Sequence, residues 1–182
     1  ENVKLLFTLD CGTSAFNTID HENYKDIDVI VIDHHLSEYK LPKVFSIVNP
    51  NRFDENTNYK DLAAVGVTFL FLMALRKLMR DNNLFTKTKE PNLMSYLDLV
   101  AVGTICDIVN ITHYNRSIVK KGLELIIQRR NKSISSIIDN TKINSIPSAR
   151  DIGFVVGPQI NAASRIDDSS LASKLFITND EN

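Results

Sequence analysis

At 182 residues and 43% hydrophobic content, the chain has the length of one domain and enough apolar side chains to fill a real core. Its charges nearly cancel, 21 Lys and Arg against 22 Asp and Glu, which argues against a nucleic-acid footprint over the whole surface; no apolar run reaches the ~18 residues of a membrane span. Cys11 and Cys106, without CxxC spacing, argue against a disulfide framework or a structural zinc site and point to a reducing cytoplasm.

The chain opens on Glu1 without Met and without a basic, apolar leader, and is read as a fragment of something longer. Residues 3–9 predict a strand that ends in Asp10 and enters the small-residue loop Cys11-Gly12-Thr13-Ser14. The β-branched run 28–32 predicts a second, buried strand, followed directly by Asp33-His34-His35. Residues 44–48 predict a third strand, closed by Asn49-Pro50-Asn51, and polar residues 54–59 a surface loop. A long, nearly all-apolar helix is predicted over 61–79, with Asp61 as N-cap and Gly66 marking a close packing contact. A second buried helix over 93–109 carries Gly103-Thr104-Ile105-Cys106-Asp107.

Residues 115–130 predict an amphipathic helix with Ile118, Leu123, Leu125, Ile126 and Ile127 on its inner side. A short helix follows at 133–139, and Ser148 opens a segment running to Arg165. Lys120-Lys121, Arg129-Arg130 and Lys132 form the densest basic region, which a solvated helix face explains without a ligand. The expected fold is α/β, a parallel sheet with flanking helices followed by a mostly helical segment, with the break at 110: residues 1–110 as core and 111–182 as helical remainder.

Two predicted strands end in metal-binding residue types, Asp10 after the first and Asp33 to His35 after the second. Open α/β sheets bind ligands at the carboxyl ends of their strands. Alone, the Asp-His-His triplet is equally well a polar strand end turning into a loop. Asp107 adds a carboxylate inside an otherwise apolar helix, where it needs a partner: a metal, an Arg or a set of backbone amides. Together the three clusters favour a site for Mn²⁺, Fe²⁺ or Zn²⁺. Paired divalent ions suit phosphoester hydrolysis, and Gly12-Thr13-Ser14 leaves room for a phosphate. Neither a Gly-x-Ser-x-Gly elbow nor a Walker loop is present.

Leu9-Asp10-Cys11-Gly12-Thr13-Ser14-Ala15, Asp33-His34-His35 and Ala101-Val102-Gly103-Thr104-Ile105-Cys106-Asp107-Ile108-Val109 resemble successive motifs of the DHH phosphoesterase superfamily. Ile47-Val48-Asn49-Pro50, Leu62-Ala63-Ala64-Val65-Gly66-Val67, Asn115-Arg116 and Gly157-Pro158-Gln159-Ile160-Asn161-Ala162-Ala163-Ser164-Arg165 are similar to its RecJ-type branch of single-stranded-DNA exonucleases. The blocks run in the family's order from residue 5 to about 168.

That resemblance implies a metal-dependent 5′-to-3′ exonuclease of single-stranded DNA, acting in cytoplasmic repair and recombination through two Mn²⁺ or Mg²⁺ ions. It implies Asp10, His34 and Asp107 as metal ligands, with Asp33 and His35 completing or orienting the site. Asn161 would contact the strand and Arg165 clamp a phosphate; a helix-ending turn with a surface Arg is the structural alternative for 157–165. Partners would be single-stranded DNA, a single-strand-binding protein and a helicase, with no membrane. The family's earlier Asp-x-Asp motif has no counterpart upstream of Asp10, so the site is expected to be incomplete and the fragment alone inactive. Gln159 and Ser164 stand where the family usually has Arg and Gly, which removes a bidentate phosphate contact. The competing readings are a DHH hydrolase of short oligonucleotides, cyclic dinucleotides or pyrophosphate, and a non-catalytic single-strand-binding scaffold.

Overall fold

The structure is a computed structural model that describes residues 2–19, 24–143, 145–166 and 170–177, the side chains of 163–166 excepted. It separates into two compact units, Glu1–Met94 with Val109–Asn115, and Ser95–Ile108 with Arg116–Asn182.

The first unit is built on three parallel strands, β1 (Leu5–Leu9), β2 (Asp28–Ile32) and β3 (Ser46–Val48), in that spatial order. Leu9 pairs with Ile32, and Ile32 with Val48, so all three strands finish at one edge. The ladder runs one residue further, because the Asp10 N–H donates to Ile32 O (3.0 Å) and the Asp33 N–H to Val48 O (3.1 Å). Central β2 carries the near-continuous apolar run of a strand covered on both faces: Val29, Val31 and the adjacent Ile32 are fully buried. Ile19 of α1 (Phe16–Ile19), Leu6, Ile27 and Ile47 pack around Val29 and Val31. Burial of each such side chain contributes about 1.5–3 kcal/mol. Edge strand β1 differs, since Leu5, Phe7 and Leu9 remain exposed.

The long helix α2 (Ala64–Asp81) begins three residues later than the sequence suggested. Its N-cap is Ala63, with no side-chain cap, because Asp61 is engaged elsewhere: its carboxylate accepts from Asn110 Nδ2 and Thr112 Oγ1, both at 3.1 Å. Gly66 does mark a close contact, as a Cβ there would lie 3.2 Å from Leu62 Cδ2. Only the first half of α2 is buried; Leu72, Met73, Leu75 and Leu78 are exposed.

The second unit is helical. A 3₁₀ turn (Leu93–Tyr96) leads into α3 (Leu97–Cys106), and α4 (His113–Ile127), α5 (Lys132–Asp139) and α6 (Ala149–Asp151) follow. A π-helical turn (Ile152–Val156) then passes into α7 (Gly157–Ile166), and α8 (Leu171–Ile177) ends the described chain. Val102, Ile126, Ile134, Ile137, Ile138, Ile152 and Val156 form its core. In α4 the inward stripe runs through Val119, Gly122 and Ile126, while Ile127 is exposed, against expectation. One further residue turns the helix by 100°, which carries position 127 off the face that 126 occupies. A Cβ on Gly122 would overlap Ala101 Cβ and the Leu97 carbonyl, so α3 and α4 cross backbone to backbone there. Ser148 opens α6 through a capping box with Asp151, as its residue type suggested. Residues 157–165 are helical, which rules out the helix-ending turn considered for them. Among the described residues no helix is long and apolar enough to cross a membrane.

Candidate metal centre

The carboxyl edge of the sheet collects Asp10, Asp33 and Asn49, each the first residue past its strand. Asp10 adopts φ 62°, a left-handed conformation that Asp tolerates better than most residues, and this turns the chain sharply off β1. Gly12 follows at φ 117°, where a Cβ would stand 2.7 Å from Thr8 Oγ1 and 3.1 Å from Val31 Cγ1. Only glycine lets this loop lie so close over the sheet. Thr8 Oγ1 fixes it from below by donating to Cys11 O (3.0 Å).

Asp33 is fully buried and folds back over its own loop. Its Oδ1 accepts from the N–H groups of His34 (2.8 Å) and His35 (3.3 Å) and meets His35 Nδ1 at 2.7 Å. Oδ2 accepts from the Thr13 N–H at 3.1 Å, joining the two strand-end loops. Burial pushes the carboxyl up, but the hydrogen bonds from His35, Thr13 and His34 outweigh it and hold the group at about 2, against 3.8 ordinarily. An ionised carboxylate at Nδ1 keeps the proton on that nitrogen and leaves Nε2 of His35 as a lone-pair donor.

Asn49 and Asn51 hold the same loop from β3. Asn49 Nδ2 donates to Thr13 Oγ1 and to His35 O, both at 2.8 Å; Asn51 Nδ2 donates to His34 O at 2.7 Å. Thr13 and Asn49 are fully buried. The sequence marks Thr13 as part of the small-residue loop and Asn49 as part of a strand-closing motif, but not their hydrogen bonds to the Asp-His-His loop, which their place beside strand ends could have signalled.

With the loops so fixed, Asp10, His34 and His35 each bring one ligand atom within 4.8 Å of the others. His34 Nε2 stands 3.4 Å from Asp10 Oδ1, and the two imidazole rings meet edge to face at 4.6 Å. Donors sharing one ion at about 2.0–2.2 Å stand about 3–4.4 Å apart, so the three fit a common divalent cation with little movement. One carboxylate oxygen and two imidazole nitrogens suit Mn²⁺, Fe²⁺ or Zn²⁺. Asp33 is brought to the same place, with its oxygens turned toward protein donors.

Asp107 is exposed rather than buried in a helix, because α3 ends at Cys106 and Ile108 takes φ 58°. Its N–H closes the helix on Gly103 O at 3.0 Å. The buried carboxylate of α3 is Asp98, in its first turn, which sequence reading passed over. Burial raises its pKa, and the Leu99 N–H (2.7 Å) and the Asn131 side chain partly compensate. Asn161, exposed on α7, lines a cavity of about 750 Å³ together with Leu99, Val102, Gly103, Cys106 and Phe176. Gln159 is exposed. The side chains of Ser164 and Arg165 lie outside the described residues.

The description of the DHH family, N-terminal domain, matches residues 2–104. A single-stranded-DNA-specific exonuclease RecJ from Haemophilus influenzae is 38% identical over 184 residues, 99% of this chain and 32% of that protein. The one from Escherichia coli is 37% identical over 179 residues, 96% of this chain and 31% of that protein. Among solved structures, exonuclease RecJ bound to manganese has a TM-score of 0.79 at 30% identity, covering 97% of this chain and 42% of that one. RecJ in complex with Mn²⁺ from Thermus thermophilus has a TM-score of 0.78 at 30% identity, covering 97% of this chain and 25% of that one. The chain therefore spans about a third of the length of the curated relatives it matches.

Proposed function

Because this chain belongs to the DHH family, we propose that it forms the catalytic core of a metal-dependent exonuclease that hydrolyses single-stranded DNA from the 5′ end. The convergence of Asp10, His34 and His35 at the sheet edge carries this reading. The RecJ relatives and the manganese-bound RecJ structures support it.

In this reading Asp10, His34 and His35 hold Mn²⁺ or Mg²⁺, and Asp107 adds a ligand of the two-ion site. Bound ions supply a nucleophilic water at neutral pH and offset the charge gathering on the phosphate. Asp33 fixes the tautomer of His35, Asn49 and Asn51 hold the His35 and His34 carbonyls, and Thr13 ties the Asp10 loop to Asp33. Asn161 contacts the strand, and Arg165 clamps a backbone phosphate. Residues 1–110 serve as the core of the DHH domain and 111–182 as its helical remainder. Repair and recombination in the cytoplasm, with a single-strand-binding protein and a helicase as partners, complete the proposal.

The test incubates the full-length protein and Mn²⁺ with 5′-labelled single-stranded DNA, a dinucleotide or pyrophosphate. Progressive release of mononucleotides, abolished by EDTA and by Asp107→Ala in a folded variant, is expected. Cleavage of only the small substrates would move the activity to short oligonucleotides or pyrophosphate. Binding without cleavage would make the chain a scaffold.

A further inference from the structure

Two tyrosines stand together on the first unit, outside the centre described above. Tyr59, in the loop between β3 and α2, and Tyr114, in the first turn of α4, place their ring centroids 4.9 Å apart with the planes inclined by 36°. Aromatic pairs usually hide their area in a core. This one keeps 39% of Tyr59 and 49% of Tyr114 exposed.

A polar clamp holds both rings in place. The Asp61 carboxylate binds Asn110 and Thr112 as described, and buried Asn115 donates through Nδ2 to Asp61 O (2.6 Å) and Asn110 O (2.8 Å). The backbone on both sides of the pair is thereby fixed. A side-chain hydrogen bond to Tyr59 raises the Tyr114 phenol, which stays neutral and repels no phosphate.

The loop that carries Tyr59 is also tied to the metal centre by hydrogen bonds. Asn51 Nδ2 donates to His34 O (2.7 Å) and to Lys60 O (3.0 Å), so one amide ties the centre to the residue after Tyr59. Tyr59 lines a cleft of about 330 Å³ with Val48, Asn49 and Pro50. Asn49 is the residue that grips His35 O. Asn49 thus both lines the cleft and holds the loop that carries the histidine donors.

We propose that Tyr59 and Tyr114 form a stacking platform for a nucleobase of the single strand whose phosphate meets Asp10, His34 and His35. The inference rests on the exonuclease reading and adds to it a base-binding subsite. Every base has a π-face, so such a platform binds single strands without reading their sequence. An exposed aromatic pair on a loop tied to a candidate metal centre matches a nucleotide, with its flat base linked to an anionic group.

The full-length protein with Mn²⁺ is compared with Tyr59→Ala, Tyr114→Ala, Tyr114→Leu and the double Tyr→Phe variant. Substrates are a 5′-phosphorylated thymidine oligomer and the same oligomer with abasic terminal positions. Loss of the platform should raise KM for the oligomer about tenfold, in the usual range for base–aromatic stacking. kcat should change less than about twofold, the Phe variant should match wild type, and the Ala and Leu variants should lose the preference for based over abasic ends. Leucine keeps bulk in the clamp without a π-face, so a Leu variant with wild-type KM overturns the proposal. So does a lowered melting temperature with unchanged KM, which would make the pair a staple between loops. Should wild type cleave no DNA, the exonuclease reading fails and anisotropy with a labelled oligomer judges the platform. Tenfold weaker binding by the Ala variants then supports it; equal binding, or none by wild type, overturns it.

Discussion

Replacing Asp33 by Asn tests whether the buried carboxylate organises the centre. The change keeps the shape but removes the charge and turns one acceptor into an amide donor. Whichever way the amide is flipped, its NH₂ faces protein donors: the Thr13 N–H on one side, or the His34 and His35 N–H groups and His35 Nδ1 on the other. A buried donor left without its acceptor costs about 1–3 kcal/mol. The depressed pKa gives an independent measure: a shift from 3.8 to about 2 corresponds to about 2 kcal/mol of stability gained by ionising Asp33 in the folded state. Asp33→Asn should therefore destabilise the protein by about 2–4 kcal/mol at pH 7.

The pH dependence carries the sharper signature. A lowered folded-state pKa means the stabilisation is complete above the unfolded value of 3.8 and is lost as pH falls toward about 2. Below about pH 5 the gap between wild type and Asp33→Asn should narrow by roughly 2 kcal/mol as pH approaches 2. Equilibrium denaturation of the metal-free proteins across that range measures it, and taking the difference cancels the groups that do not interact with Asp33. A gap that stays flat down to pH 2, or is absent at pH 7, would refute the claim that hydrogen bonds to the ionised carboxylate hold the loop.

Three further outcomes are expected. Gly12→Ala must bring its Cβ to within 2.7 Å of Thr8 Oγ1 at φ 117°, so it should cost about 1–3 kcal/mol and weaken Mn²⁺ binding in calorimetry. Gly122→Ala meets Ala101 Cβ and the Leu97 carbonyl; this overlap should exceed the ~1 kcal/mol gain in helix propensity and lower the melting temperature, and a rise would show that α3 and α4 can separate freely. Mn²⁺ at a hundred times its dissociation constant should raise stability by about 2.7 kcal/mol in wild type, and His34→Ala should abolish most of that rise in a thermal melt.

The sheet and its ligand edge were legible because their signals are local. A β-branched run followed by Asp33-His34-His35 marks a buried strand and its carboxyl end within eight residues, and β2 has the bounds it suggested. Signals that depend on distant partners were not legible. Asp61 has every local property of an N-cap, yet Asn110 and Thr112 draw its carboxylate away, and nothing around residue 61 announces them. Asp107 looked buried because its neighbours are apolar, but burial also depends on where the helix stops, and α3 stops at Cys106. Asp98, with neighbours as apolar as those of Asp107, is the carboxylate that the fold encloses. The bracing roles of Thr13 and Asn49 were hidden for the opposite reason: a hydroxyl and an amide do not announce which groups they hold until the fold sets them beside Asp33 and His35.

Register makes the arrangement of the centre depend on the core beneath it. Leu9 pairs with Ile32, so the residues that follow, Asp10 and Asp33, leave the sheet side by side, and His34 reaches Asp10 from the adjacent strand. A slip of one residue between β1 and β2 would move Asp10 along the strand by about 3.3 Å and exchange the two faces of β1. Polar groups at the edge cannot prevent that slip, because loops follow strands. What prevents it is Val29 and Val31, fully buried on β2 among Leu6, Ile19 and Ile27, whose fit would be lost in any other register. The spacing of the candidate metal donors is thus set by aliphatic packing two to four residues upstream of the triplet, and substitutions at Val31 should loosen Mn²⁺ binding although valine has no ligand atom to offer.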